Sequence, residues 1–473
     1  MYTGRIICWV LLGLVFPWKL SGQSSCQLRF DEALRQMSTA SRGLKIAEQE
    51  VRIAHDERSI VDASWYPQVQ TSGMYVHLSE DVEVKQKLSR YTNPIKEHVH
   101  ELFPSDVLIS EMLDKVGSYT LSFPLLPRDL STLDVTAEWV AFSGGDRLLA
   151  RRIGGRLISV AEENRSAVKA TELVALVESY YGLFLIQQTI EVRRLALEGM
   201  KRHYFDAIRL EKVGMIDKAA RLVAQVAYEE ARSALEAARM DEQVGQLTLR
   251  TLLGISDDTV RITPVSPLFV NEVLPPYAEF AAMLPKGNPA IKVLALQEAV
   301  AGDQLRMSQS DYLPNVALFA KHTIWSHGIP SNLFPRSMVG VGFTWNLFDG
   351  LAREKRIVQS RQIRQSLVLE REKVEEELAV TLSELYVTLE KARADADVWR
   401  SVTTVNEELL RVRTRAFKEG LATTAELIDA ETMLADARLA HLASCYAYDV
   451  ALINLLALCG TPEVFTDYSR MYE

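Results

Sequence analysis

Proline is missing from two tracts of this chain, residues 128–263 and 336–461, although 16 prolines occur among its 473 residues. All lie at or before Pro127, between Pro264 and Pro335, or at Pro462. A proline inside a helix costs about 3 kcal/mol, so such gaps point to long unbroken helices. The residues within them agree. Segments 161–252 and 352–458 are rich in Ala, Leu, Glu, Arg, Val and Lys, with apolar positions at helical spacing, as in Leu173, Val174, Leu176, Val177, Tyr180 and Tyr181. Gly214 and Gly420 read as turns that divide them.

The two tracts are copies of one unit. A shift of about 206 residues lays Gly144 on Gly350, Arg147 on Arg353, Tyr180 on Tyr386, Lys212 on Lys418, Gly214 on Gly420 and Gly254 on Gly460. Upstream, Trp65-Tyr66-Pro67 matches Tyr312-Leu313-Pro314 at an offset of about 247, so the first copy holds an insertion of roughly 40 residues within 78–130. The order predicted for each copy is the same. A helix (30–64, entered through Asp31, and 288–311) leads to two alternating stretches (68–77 and 133–142; 315–325 and 338–348), then to a long helical hairpin (146–254 and 351–460). The first repeat is thus 26–254 and the second 287–460, with an inter-repeat segment 255–286 and a tail 461–473, both expected to belt the helices near their middle. At 1.5 Å per residue the longest helices would reach roughly 100 Å, too long to pack inside a globule. Within the insertion, 79–90 is highly charged, 97–115 fits an amphipathic helix, and 119–125 fits a further β segment.

Residues 1–25 read as an export signal: Arg5 is followed by an apolar run, 6–18, and by the small residues Ser21, Gly22, Ser24 and Ser25. Ser24-Ser25-Cys26 also permits lipid attachment at Cys26, although Gln23 stands where a lipobox carries Leu. Cys445 and Cys459 lie roughly 20 Å apart on one helix, too far for a disulfide, and are expected to pack as apolar side chains. No later window shows the roughly 20 apolar residues of a bilayer-spanning helix, so a membrane crossing here would be made of strands. The four alternating stretches have that length, and Trp65, Tyr75, Trp139, Phe142, Trp325 and Trp345 are among the aromatic residues near their ends, as in interfacial girdles. Four strands cannot close a barrel, so copies of the chain must pool theirs.

The second copy resembles the TolC-like outer-membrane efflux proteins. Thr344-Trp345-Asn346-Leu347-Phe348-Asp349-Gly350 is similar to that family's strand-to-helix junction. Residues 416–423 (Ala-Phe-Lys-Glu-Gly-Leu-Ala-Thr) with 426–430 (Glu-Leu-Ile-Asp-Ala) are similar to its helix-turn-helix tip, and Leu456-Ala457-Leu458-Cys459-Gly460 to its closing helix end. The first copy carries the matching turn Glu211-Lys212-Val213-Gly214-Met215. The resemblance implies a mainly helical chain that trimerises into a 12-stranded outer-membrane β-barrel and a periplasmic helical tunnel. It further implies docking to a periplasmic adaptor and, through it, to an inner-membrane pump or exporter, without cofactor or metal.

By the same resemblance Glu426 and Asp429 would stand in the carboxylate ring of the tunnel entrance, where converging like charges concentrate cations. The bland alternative is a pair of solvated acids complementing a helix dipole. Family members that tie their tips with a basic residue two places after the Gly have it where this chain has Ala422, which leaves Arg413 and Arg415 as substitutes to test. Val213, Gly214 and Met215, with Gly420 and Leu421, resemble the adaptor-contact tips; a helical hairpin turn with no partner is the alternative. His98 and His100 lack further ligands at metal-binding spacing.

A net charge of −9 argues against nucleic acid, and 48% apolar with 24% charged residues excludes a disordered chain. No phosphate loop, H-E-x-x-H or G-x-S-x-G occurs, so no enzyme signature emerges. The reading is an exit duct of a tripartite efflux or type I secretion system. Its rivals are a periplasmic coiled-coil scaffold without a pore and a pore-forming toxin.

Overall fold

A computed structural model describes residues 25–102, 107–271, 274–329 and 335–471. The export signal, 1–25, therefore lies outside the described residues except at its last position. Strand β1 (Ser25–Leu28) leads into α1 (Phe30–Ala40) and α2 (Arg42–Ala63), then β2 (Gln68–His77). The insertion holds β3 (Val82–Lys87), α3 (Ser89–Leu102), α4 (Val107–Gly117) and β4 (Thr120–Leu126). Next come β5 (Asp129–Ser143) and the hairpin of α5 (Asp146–Lys212) and α6 (Lys218–Leu252). Between the repeats lie β6 (Arg261–Pro264) and α7 (Tyr277–Gly287). The second repeat is α8 (Pro289–Ser310), β7 (Asn315–His327), β8 (Ser337–Thr344) and the hairpin of α9 (Ala352–Lys418) and α10 (Thr424–Leu458), closed by a 3-10 turn and α11 (Phe465–Arg470).

Several expectations need correction. The single helix 30–64 is two, because Ser41 takes an extended ψ of 125° and its hydroxyl accepts from Leu44 N–H, capping α2. Its entry is Arg29, with Asp31 already inside the first turn. The strand expected over 338–348 stops at Thr344, because the chain turns through Gly350 (φ 71°) and Leu351 (φ 69°) while Asp349 accepts from Ala352 and Arg353 N–H to start α9. Strand 133–142 instead begins at Asp129, since β5 keeps pairing with β2 as far as His77. The amphipathic pattern over 97–115 belongs to two helices, and the extra β segment pairs with β3 rather than extending the main sheet. Finally, α5 and α10 are each long and apolar enough over one stretch to cross a membrane by length and composition alone, more apolar than the sequence reading expects. Apolar residues of both helices enter a common core cluster.

The described residues form two compact units, each drawing on both repeats: those within 25–52, 159–297 and 367–471 in one, those within 53–158 and 298–366 in the other. The first is helical. Its core gathers Phe30, Tyr180, Tyr181, Phe269, Tyr448 and Phe465, with ring centroids of neighbours about 5 to 6 Å apart, as aromatic pairs prefer. Tyr180 Oη donates to Leu28 O at 2.7 Å and accepts from Val265 and Ser266 N–H, so one buried hydroxyl ties α5 to β1 and the inter-repeat segment. Gly287 and Gly460 touch so closely that a Cβ on Gly460 would lie 2.1 Å from Gly287 O. The thiols of Cys445 and Cys459 are free and buried, and burial pushes both up to about 11, so they stay protonated.

The second unit holds a four-stranded antiparallel sheet in the order β2-β5-β7-β8, the paired β3-β4 ribbon and the α3-α4 pair.

Candidate functional site: an open sheet and two helix tips

The sheet is two-faced. Register places Gln68 against Glu138, Gln70 against Thr136, Asp134 against Thr323 and Thr136 against Lys321, so one face is polar. On it Lys321 Nζ lies 2.9 Å from Asp134, whose carboxylate also accepts from Thr323 Oγ1 at 2.6 Å. The other face carries Val69 opposite Ala137, Trp139 opposite Leu318, Ala320 opposite Val339, and Val316 opposite Phe343. Of these, Val69, Trp139, Val339 and Phe343 are exposed, Val339 at 85%, and the others are half-buried. One apolar and one polar face along strands of this length is the pattern of a membrane barrel wall. Among the described residues β2 and β8 each have one unpaired edge.

The two strand-to-helix junctions are built alike. Arg147 lies over the Trp65 ring at 4.6 Å and donates to Ser64 O and Ala141 O. Arg353 lies over Tyr312 at 4.5 Å and donates to Asp311 O and Leu347 O. Trp139 Nε1 reaches Trp65 O at 2.9 Å, and Trp345 Nε1 reaches Tyr312 O at 3.1 Å. Each arginine clasps the end of one helix to the end of a strand by a cation–π contact and two hydrogen bonds. The sequence uses Arg147 and Arg353 only as landmarks; their recurrence at one offset is the signal that marks them.

The helix tips also match. Gly214 (φ 79°) and Gly420 (φ 78°) turn in the left-handed region, and Met215 N–H and Leu421 N–H return to Leu210 O and Ala416 O, satisfying the helix ends. Asp217 caps α6 by accepting from Ala220 N–H; Thr423 caps α10 in a capping box with Glu426. Val213, Met215 and Leu421 are bare. Near its tip each hairpin carries an ion pair of opposite sense: Glu211 on α5 to Arg221 on α6 at 2.6 Å, and Arg413 on α9 to Glu426 on α10 at 2.9 Å; further from the second tip Glu407 on α9 meets Arg438 on α10 at 2.7 Å. Arg413 is thus the arginine that pairs at the second tip. Hydrogen bonds from Thr423, with Arg413 nearby, hold the Glu426 carboxyl below the usual range.

Asp429, one turn on, is exposed and borders a groove with Met200, Leu222, Val226 and Arg193. Both acids lie on α10 at i and i+3, so they are neighbours on one helix face. A nearby pair absent from the sequence reading, His203 and Glu431, joins α5 to α10 at 3.1 Å; two acid-base residues 228 positions apart leave no local signal. Cys26 is exposed on β1. His98 is described but the His100 side chain is not, and no metal-binding cluster exists among the described residues.

Residues 283–461 match a family model described as outer membrane efflux protein. No curated protein matches. Among solved structures, CusC is similar with a TM-score of 0.72 at 15% identity, over 91% of this chain and 92% of that one. VceC, an outer membrane protein of Vibrio cholerae, gives 0.69 at 15% identity over 91% and 96%. The CmeC outer membrane channel of Campylobacter jejuni gives 0.69 at 12% identity over 94% and 90%. The likeness read from the sequence holds as a family match in the second repeat and as fold over nearly the whole chain; the mainly helical class with a small sheet holds with it, and the outer membrane is the setting named for the family, VceC and CmeC.

Proposed function

We propose that this chain, of the outer-membrane efflux family by its second repeat and of that fold throughout, is the outer-membrane exit duct of a tripartite efflux or type I secretion system. It conducts passively and is a channel rather than an enzyme. The observation that carries the reading is the two-faced sheet with unpaired edges on β2 and β8. Open edges in lipid leave backbone groups unsatisfied, so three copies join edge to edge into 12 strands, apolar face outward. The same outward face speaks against a soluble scaffold. On α6, Met240, Val244 and Leu247 form a bare stripe at helical spacing, a surface suited to the neighbouring copy.

The helical tunnel would run into the periplasm and end at the two tips, where Val213, Gly214 and Met215 with Gly420 and Leu421 offer an adaptor small, bare apolar contacts. Glu426 and Asp429 would line the entrance, with Arg413 holding Glu426 in the resting form. An adaptor that binds the open form more tightly would shift the tips toward it. Cys26 is the position for an added lipid. The test is reconstitution of the detergent-extracted protein into planar bilayers. A conducting trimer is expected, and its conductance should rise when Glu426 and Asp429 are both changed to Ala. A folded, solitary chain in plain buffer would overturn the reading, as would a trimer that stays silent with both acids removed.

A further inference from the structure

The insertion between β2 and β5 hardly buries anything of itself. Of its described residues between 78 and 128 only Thr92 and Gly117 are buried. Its ribbon continues the β2-β5 pair directly: Leu78 N–H donates to Arg128 O at 2.7 Å, and Arg128 N–H to Asp81 Oδ1 at 2.8 Å. Val84 pairs with Phe123, and Leu121 lies two residues along on the same face; all three are about half exposed. The opposite face carries Glu83, Lys85 and Lys87. On α4, Leu108, Met112 and Val116 fall at i, i+4 and i+8, so they form one stripe, and all are exposed.

A two-stranded ribbon is marginal in water, and a unit this small cannot supply a core of its own. Something must cover these faces. Lipid is not placed to do so, because the ten residues of β2 already match the length of a tilted strand crossing the hydrocarbon layer, and the ribbon lies beyond them. The ribbon grows from β2, whose free edge is where a neighbouring copy joins. The apolar surface brought nearest to it by that seam is the same insertion on the neighbour, and a threefold arrangement of such contacts closes on itself.

We propose that the three insertions pack on one another through the α4 stripe and the apolar ribbon face, forming a cap over the outer mouth of the barrel. The inference rests on the trimeric duct, and its test separates the two. Met112→Cys is made in a full-length chain carrying Cys26→Ser; the other described thiols, Cys445 and Cys459, are buried and protonated. A second chain carries Thr71→Cys and Val341→Cys, one on each sheet edge. Both are treated in cells with a membrane-permeant bismaleimide.

The expected result is a covalent dimer from Met112→Cys, lost when Leu108→Glu is added, and covalent trimers from the edge pair. Trimers from the edge pair without a Met112→Cys dimer would overturn the cap and leave the duct standing. So would a Met112→Cys thiol linked to a different protein, or one shielded from water-soluble maleimide yet linked to nothing, which would indicate lipid. No product from either chain would overturn the trimer and the cap together.

Discussion

The two repeats agree where a helix meets a strand and diverge where helices meet the core. Arg147 and Arg353 make the same clasp, and Gly214 and Gly420 the same turn. The returning helices differ: α10 buries fifteen residues, α6 only six. At the same offset, buried Asp449 on α10 answers to exposed Gln243 on α6, while buried Tyr448 answers to a Glu242 that is also buried but ion-paired to Arg261. Local hydrogen-bonding demands are the same in both copies and hold the junctions fixed. Packing demands depend on what each helix faces, and one faces the interior while the other faces outward.

The sharpest way to break this comparison is at the paired helix-ending glycines. Gly460→Ala would drive a Cβ into Gly287 O, a backbone atom that cannot step aside, in a left-handed conformation. It should cost above about 4 kcal/mol and abolish the folded trimer on semi-native gels. Gly254→Ala meets only the Ala40 Cβ at 2.9 Å and should cost about 1 to 2 kcal/mol, read as a lower melting temperature by circular dichroism. Equal losses at the two sites would mean that the repeats are packed alike.

Asp449 gives a second test. Burial raises its carboxyl well above the usual range, only partly offset by a backbone hydrogen bond at Phe269. The folded chain therefore keeps a proton that the unfolded chain releases above about pH 4. Stability should be highest below that pH and fall as pH rises toward the folded value. Asp449→Asn should remove the fall, leaving the variant more stable than the parent at neutral pH and no more stable in acid. Denaturation series across pH measure this; Gln243→Asn should change neither curve.

The smallest effect is expected at the tips. Arg413→Ala should raise conductance in bilayers without a shift in melting, whereas Arg221→Ala should leave conductance unchanged, if only the second tip lines the entrance. Because Glu426 is held below its ordinary pKa, its pairing is complete above the usual carboxylate range and lost as pH falls through the folded value, so acid should mimic Arg413→Ala. An equal response from both arginines would erase the distinction between the tips.

Much of this was legible in residue order. The strand Gln68–His77 appears at the bounds that alternation predicts, and both 67-residue helices span the proline-free tracts between their glycines. The tip glycines and the Glu426 cap follow from residue type, because a left-handed turn and an orphan helix N–H are local requirements. The Arg413 partner, thirteen residues away, was narrowed to two arginines but not chosen, since both lie in the last turns of the same helix. The break at Ser41 is hidden, because the helical apolar spacing continues through it and a lone serine, though a good cap, also occurs within helices.

Residue order by itself determined the repeat, the helix lengths, the turns and the two faces of the sheet, since these arise from periodicity and backbone stereochemistry within short windows. Only the tertiary structure decided that Asp449 is interior and Gln243 is not, that Gly287 and Gly460 touch, and that the insertion stands apart with its apolar faces bare. Those outcomes depend on which surfaces distant segments bring together, and burial is a property of the packed whole that no local pattern encodes.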